Sequence, residues 1–366
     1  MLTKADEFPI HQTPDPIAIA GSERNFYDRF FFNGYSADGT VFFVFGLGVY
    51  PNLNIMDAAF SVRIGDVQHN LRASRHMHME RMDIQVGPIR VEILEPLKRL
   101  RLVIEDNAHA IAADLVFECR HAPIEEARST RRSGPRITMD FSRLAQMGRY
   151  TGWLCAGGQK IDAQAVGMIG CRDRSWGIRA VGLRDPQEMV PVPSRQFHWY
   201  WVPAHFEDRV LHFYLNEDEH GTIWHRGLVM VHDDGRTEHL HAASVATRDH
   251  PGTRWPVSAV ISAFDDAGNA WRITAEMGER TYLSGIGYMH PDWGHGINKG
   301  PLAIGYDEIR KSEVTGFGPP WVHNQAFARL TMQTPEGRSI GGTGTFETLS
   351  MGPNRARGYT AMFDAP

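Results

Sequence analysis

Asp173 stands between two arginines, Arg172 and Arg174, and three residues ahead of Trp176. The segment, Gly170-Cys171-Arg172-Asp173-Arg174-Ser175-Trp176-Gly177, ends an apolar run near the middle of the chain. Charges of both signs beside an indole are costly to desolvate unless they pair or act on something. In an apolar pocket, burial would keep the Asp173 carboxyl protonated near neutrality and make it a proton donor; a guanidinium close by would pull the other way. The sequence leaves that sign open. The plainer reading is a structural ion-pair network of Asp173 and Arg174 at a domain junction, with Trp176 as a packing anchor and Gly177 as a bend.

Two histidines are candidates to work with such an acid. His198 opens the run His198-Trp199-Tyr200-Trp201, where strand alternation turns His198 and Tyr200 to one face and Trp199 and Trp201 to the other. Three aromatics in succession suit either a packed interface between domains or a cavity wall whose π faces hold an unsaturated ligand or a developing cation. His323, between Trp321 and Asn324, could extend that wall. The loop His290-Pro291-Asp292-Trp293 adds polar groups and an indole on an ordered turn. The expected catalytic groups are Asp173 as donor, with His198 or His323 positioning water or accepting a proton. Substrate contacts are expected from Trp176, Trp199, Tyr200 and Trp201, and from His290, Asp292, Trp293 and Asn324.

Metal chemistry has one foothold. In Arg75-His76-Met77-His78-Met79-Glu80, a strand would set His76, His78 and Glu80 on one face, two imidazoles and a carboxylate for one ion. No second segment completes the set, and a solvated face is the expectation, so no metal is assigned. Neither Gly46-Leu47-Gly48-Val49-Tyr50-Pro51 nor Gly341-Gly342-Thr343-Gly344 has the glycine spacing, lysine or following helix of a nucleotide loop. Close strand packing explains them better, and no cofactor is expected.

The elements that must position these groups read as strands. Short runs of β-branched and aromatic residues, such as 29–35, 41–49, 58–64 and 89–94, are separated by turns like Ser36-Ala37-Asp38-Gly39 and Gly87-Pro88. Residues 140–147, with Phe141, Leu144 and Ala145 at helical spacing, predict one short helix. A proline-rich stretch, Pro191-Val192-Pro193-Ser194, reads as a connection between domains. The second half repeats the style of the first. Phe31-Phe32-Asn33 with Asp38-Gly39-Thr40 resembles Tyr214-Leu215-Asn216 with His220-Gly221-Thr222. The fold class expected is all-β, two tandem barrel or sandwich domains, at 1–188 and 189–366, with few short helices.

The 366 residues, 42% hydrophobic, are enough for two ordinary cores. A net charge of −5 argues against nucleic acid, and the one basic cluster, 128–136, reads as a solvated loop. No stretch offers the roughly 18 apolar residues of a membrane span, and no signal segment is visible. Three scattered cysteines point to neither disulfides nor a thiolate zinc site, so a cytoplasmic location is the default. Oligomeric state is left open.

The Asp173-Arg174-Ser175-Trp176-Gly177 pentapeptide, with the early Phe30-Phe31-Phe32-Asn33-Gly34-Tyr35 run, resembles the AttH-like and carotenoid hydratase group of lipocalin-related proteins. That resemblance implies two lipocalin-like β domains with a ligand space between or within them. It also implies hydration of a polyene or related cyclisation without a redox cofactor, with Asp173 as the acid and Trp176 at the cavity or junction. The function expected is cofactor-independent acid-base chemistry (hydration, isomerisation or cyclisation) on a hydrophobic unsaturated or aromatic small molecule. The alternative is a lipocalin-type carrier of a hydrophobic ligand, without turnover.

Overall fold

The computed structural model describes Thr3, Ile10 and residues 14–365. The first twelve strands are β1 Phe26–Tyr35, β2 Val41–Tyr50, β3 Ile55–Ile64, β4 Val67–His76, β5 Gln85–Val86, β6 Ile89–Glu95, β7 Arg99–Ile104, β8 Ala112–Cys119, β9 Ile124–Ser133, β10 Arg136–Ala156, β11 Gln159–Asp162 and β12 Ile169–Ile178. After the proline-rich stretch come β13 Phe197–Phe206, β14 Arg209–Glu217, β15 Ile223–His232, β16 Thr237–Asp249, β17 Pro256–Phe264, β18 Ala270–Tyr282, β19 Leu302–Arg310, β20 His323–Gln333 and β21 Ser339–Met351. Helical turns among the described residues are short 3-10 segments such as Leu283–Ile286.

The predicted helix at 140–147 is instead the middle of β10, in register with β12 from Asp140 to Arg149. Period-2 alternation wins there: Phe141, Ala145 and Met147 are buried on the face they share with the half-buried Arg143, so the apparent helical spacing was incidental.

The first sheet runs β19-β4-β3-β2-β1-β12-β10-β8-β7-β6-β5, with β9 and β11 also on β10. The sheet curls so that β4, next to its β19 end, meets β5 at the other end, where Arg75 on β4 donates from Nε to the Gln85 carbonyl and from Nη2 to the Asp83 carbonyl, both at 2.6 Å. The second sheet, β13-β14-β15-β16-β17-β18-β20-β21, is a closed barrel. The two barrel-shaped sheets make an all-β, tandem lipocalin-like architecture. One strand breaks the partition: β19, from the second half, leaves its barrel and pairs antiparallel along all of β4.

Each barrel fills its own interior. Phe32, Phe43, Phe45, Phe60 and Phe117 pack inside the first, and Tyr200, Phe213, Ile261, Ile273 and Phe346 inside the second. A third apolar cluster lies between them, with Phe31, Tyr35, Phe42, Trp201, Tyr214 and Phe327 at its heart. Strands buried on both faces need apolar residues at successive positions, and β2 (Val41–Tyr50) is buried throughout. The paired loops noted in the sequence share turn chemistry: Asp38 Oδ1 accepts the Thr40 N–H, Asp218 Oδ1 accepts those of His220 and Thr222. They differ in place, one joining β1 to β2 and the other β14 to β15.

Gly177 is where the motif bends. It sits at φ +135°, and a Cβ there would overlap the Asp140 carbonyl of β10. Gly177→Ala is expected to lower stability by about 1–3 kcal/mol, read by urea unfolding; an unchanged midpoint would show that β10 and β12 can part locally at no cost.

Candidate active site at the barrel junction

Alternation along β12 settles which neighbours Asp173 has. Cys171, Asp173 and Ser175 face the junction, opposite Asn33, Phe31 and Arg29 of β1. Arg172, Arg174 and Trp176 face the other way. Arg174 pairs with Asp28 and lies 3.9 Å over the Phe30 ring; Arg172 bonds Gln146. Neither flanking arginine therefore reaches the Asp173 carboxyl, and the expected Asp173–Arg174 network does not form. Trp176 is 40% exposed on that opposite face, away from the acid it was expected to accompany.

The guanidinium beside Asp173 comes from β10. Arg143 Nε stands 3.9 Å from Asp173 Oδ2, beyond hydrogen-bond range, while its Nη1 donates to Glu126 Oε2 at 3.1 Å. Asp173 Oδ1 is buried without any hydrogen-bond partner. Burial is the largest influence on this carboxyl and raises its pKa, Arg143 opposes, and the Glu126 and Glu347 charges add to the rise. The result is a pKa pushed up from 3.8 to about 6. Asp173 and Arg143 each keep 14% of their side-chain surface exposed.

Behind Arg143 lies a fully buried carboxylate. Glu126 Oε1 accepts from Trp201 Nε1 and from His212 Nε2, both at 2.9 Å. Burial pushes its pKa up, but Arg143 and the His212 hydrogen bond more than offset this and hold it down at about 2. The two carboxyls thus differ by environment: Glu126 is fixed as an anion, whereas Asp173 can hold a proton near neutral pH.

The aromatic wall follows from β13. Trp199 and Trp201 face the junction, and Arg143 lies 5.1 Å over the Trp199 ring. His198 and Tyr200 point into the second barrel, where His198 Nδ1 meets Ser350 Oγ at 2.9 Å and its ring abuts Tyr200. The structure thus separates His198 and Tyr200 from Asp173. His323 is brought to the junction: its ring packs 4.6 Å from Tyr288 and 6.0 Å from Trp199. Its Nε2 shares a 2.6 Å bond with Glu347 Oε1, and its Nδ1 is buried without a hydrogen-bond partner. Glu347 also accepts from Gln325 Nε2 at 2.5 Å.

The remaining expected contacts lie elsewhere. His290 Nδ1 accepts the backbone N–H groups of Asp292 and Trp293 at 3.1 Å, shaping its own loop, and Asp292 is exposed. Trp293 packs on Gly305 of β19. Asn324 Oδ1 accepts from Arg280, and its Nδ2 donates to the Trp321 carbonyl. At the histidine pair the strand stops: β4 ends at His76, and His78 has φ 55°, so His76, His78 and Glu80 do not share a strand face. No cluster of three metal-ligating side chains occurs among the described residues. None of the described helices is long and apolar enough to cross a membrane.

Arg143, Glu126, Tyr288 and Glu347 were not anticipated. Arg143 and Glu126 carried a signal, since each sits among apolar residues at period 2 (Phe141, Ala145 and Met147; Ile124). Tyr288 follows a 3-10 turn, and Glu347 sits in a polar strand, so nothing local marked them.

Among solved structures, an AttH candidate from Nitrosomonas europaea superposes at TM-score 0.51 with 12% identity, over 89% of this chain and 94% of that one. This shows the AttH-like tandem-barrel fold. Kievitone hydratase from Nectria haematococca aligns at TM-score 0.46 with 10% identity, over 91% of this chain and 92% of that one. No curated protein sequence matches. One sequence family, of unknown function, matches residues 2–360.

Proposed function

The chain belongs to that family, DUF8625, and from this premise we propose that it is an enzyme performing acid-base chemistry on a small unsaturated or aromatic molecule at the barrel junction. The observation that carries the reading is the Asp173 carboxyl, with one unbonded oxygen and a pKa of about 6, beside the Arg143 and Trp199 pair. A group with that pKa is populated in both protonation states around neutrality, as general acid-base work requires.

The chemistry follows from the atoms present. Protonated Asp173 transfers its proton to one carbon of a double bond, leaving the neighbouring carbon cationic. The Trp199 and Tyr288 π faces stabilise that charge. Water, or a second double bond of the same molecule, then supplies the electron pair, and the surplus proton returns to the Asp173 carboxylate or to His323 Nδ1. Glu347, holding His323 Nε2–H, keeps Nδ1 free to accept it.

The test is a panel of unsaturated phenols and polyenes incubated in deuterium oxide. Deuterium should enter a carbon-bound position of one substrate class, and kcat/KM should bend once near pH 6, the limb set by Asp173. Panel-wide absence of both label and product, with bound but unchanged ligand recovered by mass spectrometry, would instead establish a carrier.

A further inference from the structure

The basic cluster that read as a solvated loop forms one wall of a cleft of about 550 Å³ on the outer side of Glu126. Its residues belong to β9, and the opposite wall is the start of β15, with Trp224 and Arg226. Two strand edges face each other here. β9 is paired only on its β10 side, and β15 pairs with β16 only from Leu228 onward, leaving backbone groups of 223–227 free on that side.

The charge of this cleft stands out in a chain of net charge −5. Arg128 is matched by Asp140, at 2.7 Å and 2.8 Å. Arg131 and Arg226 have no carboxylate within ion-pair distance among the described residues; Arg132 feels the Asp140 charge that Arg128 already holds, and Arg132 and Arg226 donate to the Pro135 and Ala243 carbonyls. The single acid lining the cleft, Asp218, spends one oxygen on two backbone N–H groups of its own turn. Like charges held together without counter-charge raise the energy of the empty site, and an anion removes that cost.

Arg131 is also pre-oriented. Its guanidinium lies 4.6 Å over the Trp224 ring, so its face is occupied while its N–H edges stay free. Such an edge matches the paired oxygens of a phosphate. Trp224 in turn is fixed by stacking on His225, at 20° between planes, and by Phe197.

We propose that this cleft binds a small phosphate-bearing ligand, with Arg131 and Arg226 gripping its oxyanion from opposite walls and Arg132 adding charge. The site is separate from Asp173 and does not depend on the catalytic reading. Pyrophosphate is the probe, titrated calorimetrically into the full chain at low salt. One saturable site per chain is expected, weakened about tenfold or more in R131Q/R226Q and weakened by added salt. Loss of one charge at the exposed Arg338, which does not line the cleft, R338Q, should leave binding unchanged. Absence of a saturable isotherm with wild-type protein overturns the proposal, as does equal weakening by R338Q and R131Q/R226Q. Should the double variant lose its fold, R132Q, at an exposed position, is read in its place against the same control.

Discussion

Asp173→Asn is expected to reduce turnover by about 10²- to 10⁴-fold while making the protein more stable at pH 7. The loss is the ordinary worth of one general acid-base group. The gain comes from the same property that makes the group useful. A folded-state pKa raised from 3.8 to about 6 means the native state holds its proton over a range where the unfolded chain has released it. Stability from this group is therefore fully present below about pH 4 and falls as pH rises through about 6, by about 3 kcal/mol in total. Asparagine carries no charge to desolvate, so the variant should show a flatter stability profile between pH 4 and 6 and a higher urea midpoint at pH 7. A variant with unaltered turnover would remove Asp173 from the mechanism; one with lower stability at pH 7 would show that the carboxylate is well solvated through its open edge.

Glu126→Gln should behave in the opposite sense. Its carboxylate accepts from the buried Trp201 and His212 and pairs with the largely buried Arg143. Glutamine offers one acceptor oxygen and sets an NH2 against donors, and it takes from Arg143 its hydrogen-bonded carboxylate. Breaking a buried pair from one side costs about 3–5 kcal/mol, to be measured by chemical unfolding. Because the Glu126 pKa is depressed, its stabilisation is present above about pH 4.5 and is lost as pH falls toward 2. The substitution also removes a negative charge that raises Asp173 and leaves Arg143 to serve Asp173 alone. The bend in the pH-rate profile should therefore move below pH 6. A profile fixed at pH 6 in a folded Glu126→Gln protein would mean that some other group sets it.

The architecture was legible because tandem strands declare themselves through turns and period-2 alternation. The opposite orientations of Trp199 and Tyr200 followed from that period alone. The 140–147 stretch misled because its apolar residues satisfy both helical and strand spacing over so few positions; β12 and β9 on either side decided it. The site was half legible. Asp173 stood out by its charged neighbours, yet those same neighbours turned away and the partner that matters, Arg143, is 30 positions earlier on an adjacent strand. His198 and Trp176 were drawn in by proximity in sequence, which alternation converts into separation in space. Tyr288 and Glu347 reach the junction only through tertiary packing that no local pattern encodes.

The strand donated by the second half to the first has a consequence for how the chain matures. During synthesis β4 emerges more than two hundred residues before β19, and until then its backbone donors and acceptors form an unprotected ribbon edge. The amino-terminal sheet is thus completed only after most of the second barrel's strands have been made, so the nascent protein passes through a stage in which self-association competes with closure. Once closed, the halves are stitched rather than merely docked. Any motion admitting a molecule to the acid must come from side chains and loops, because parting the halves would mean unzipping a whole strand.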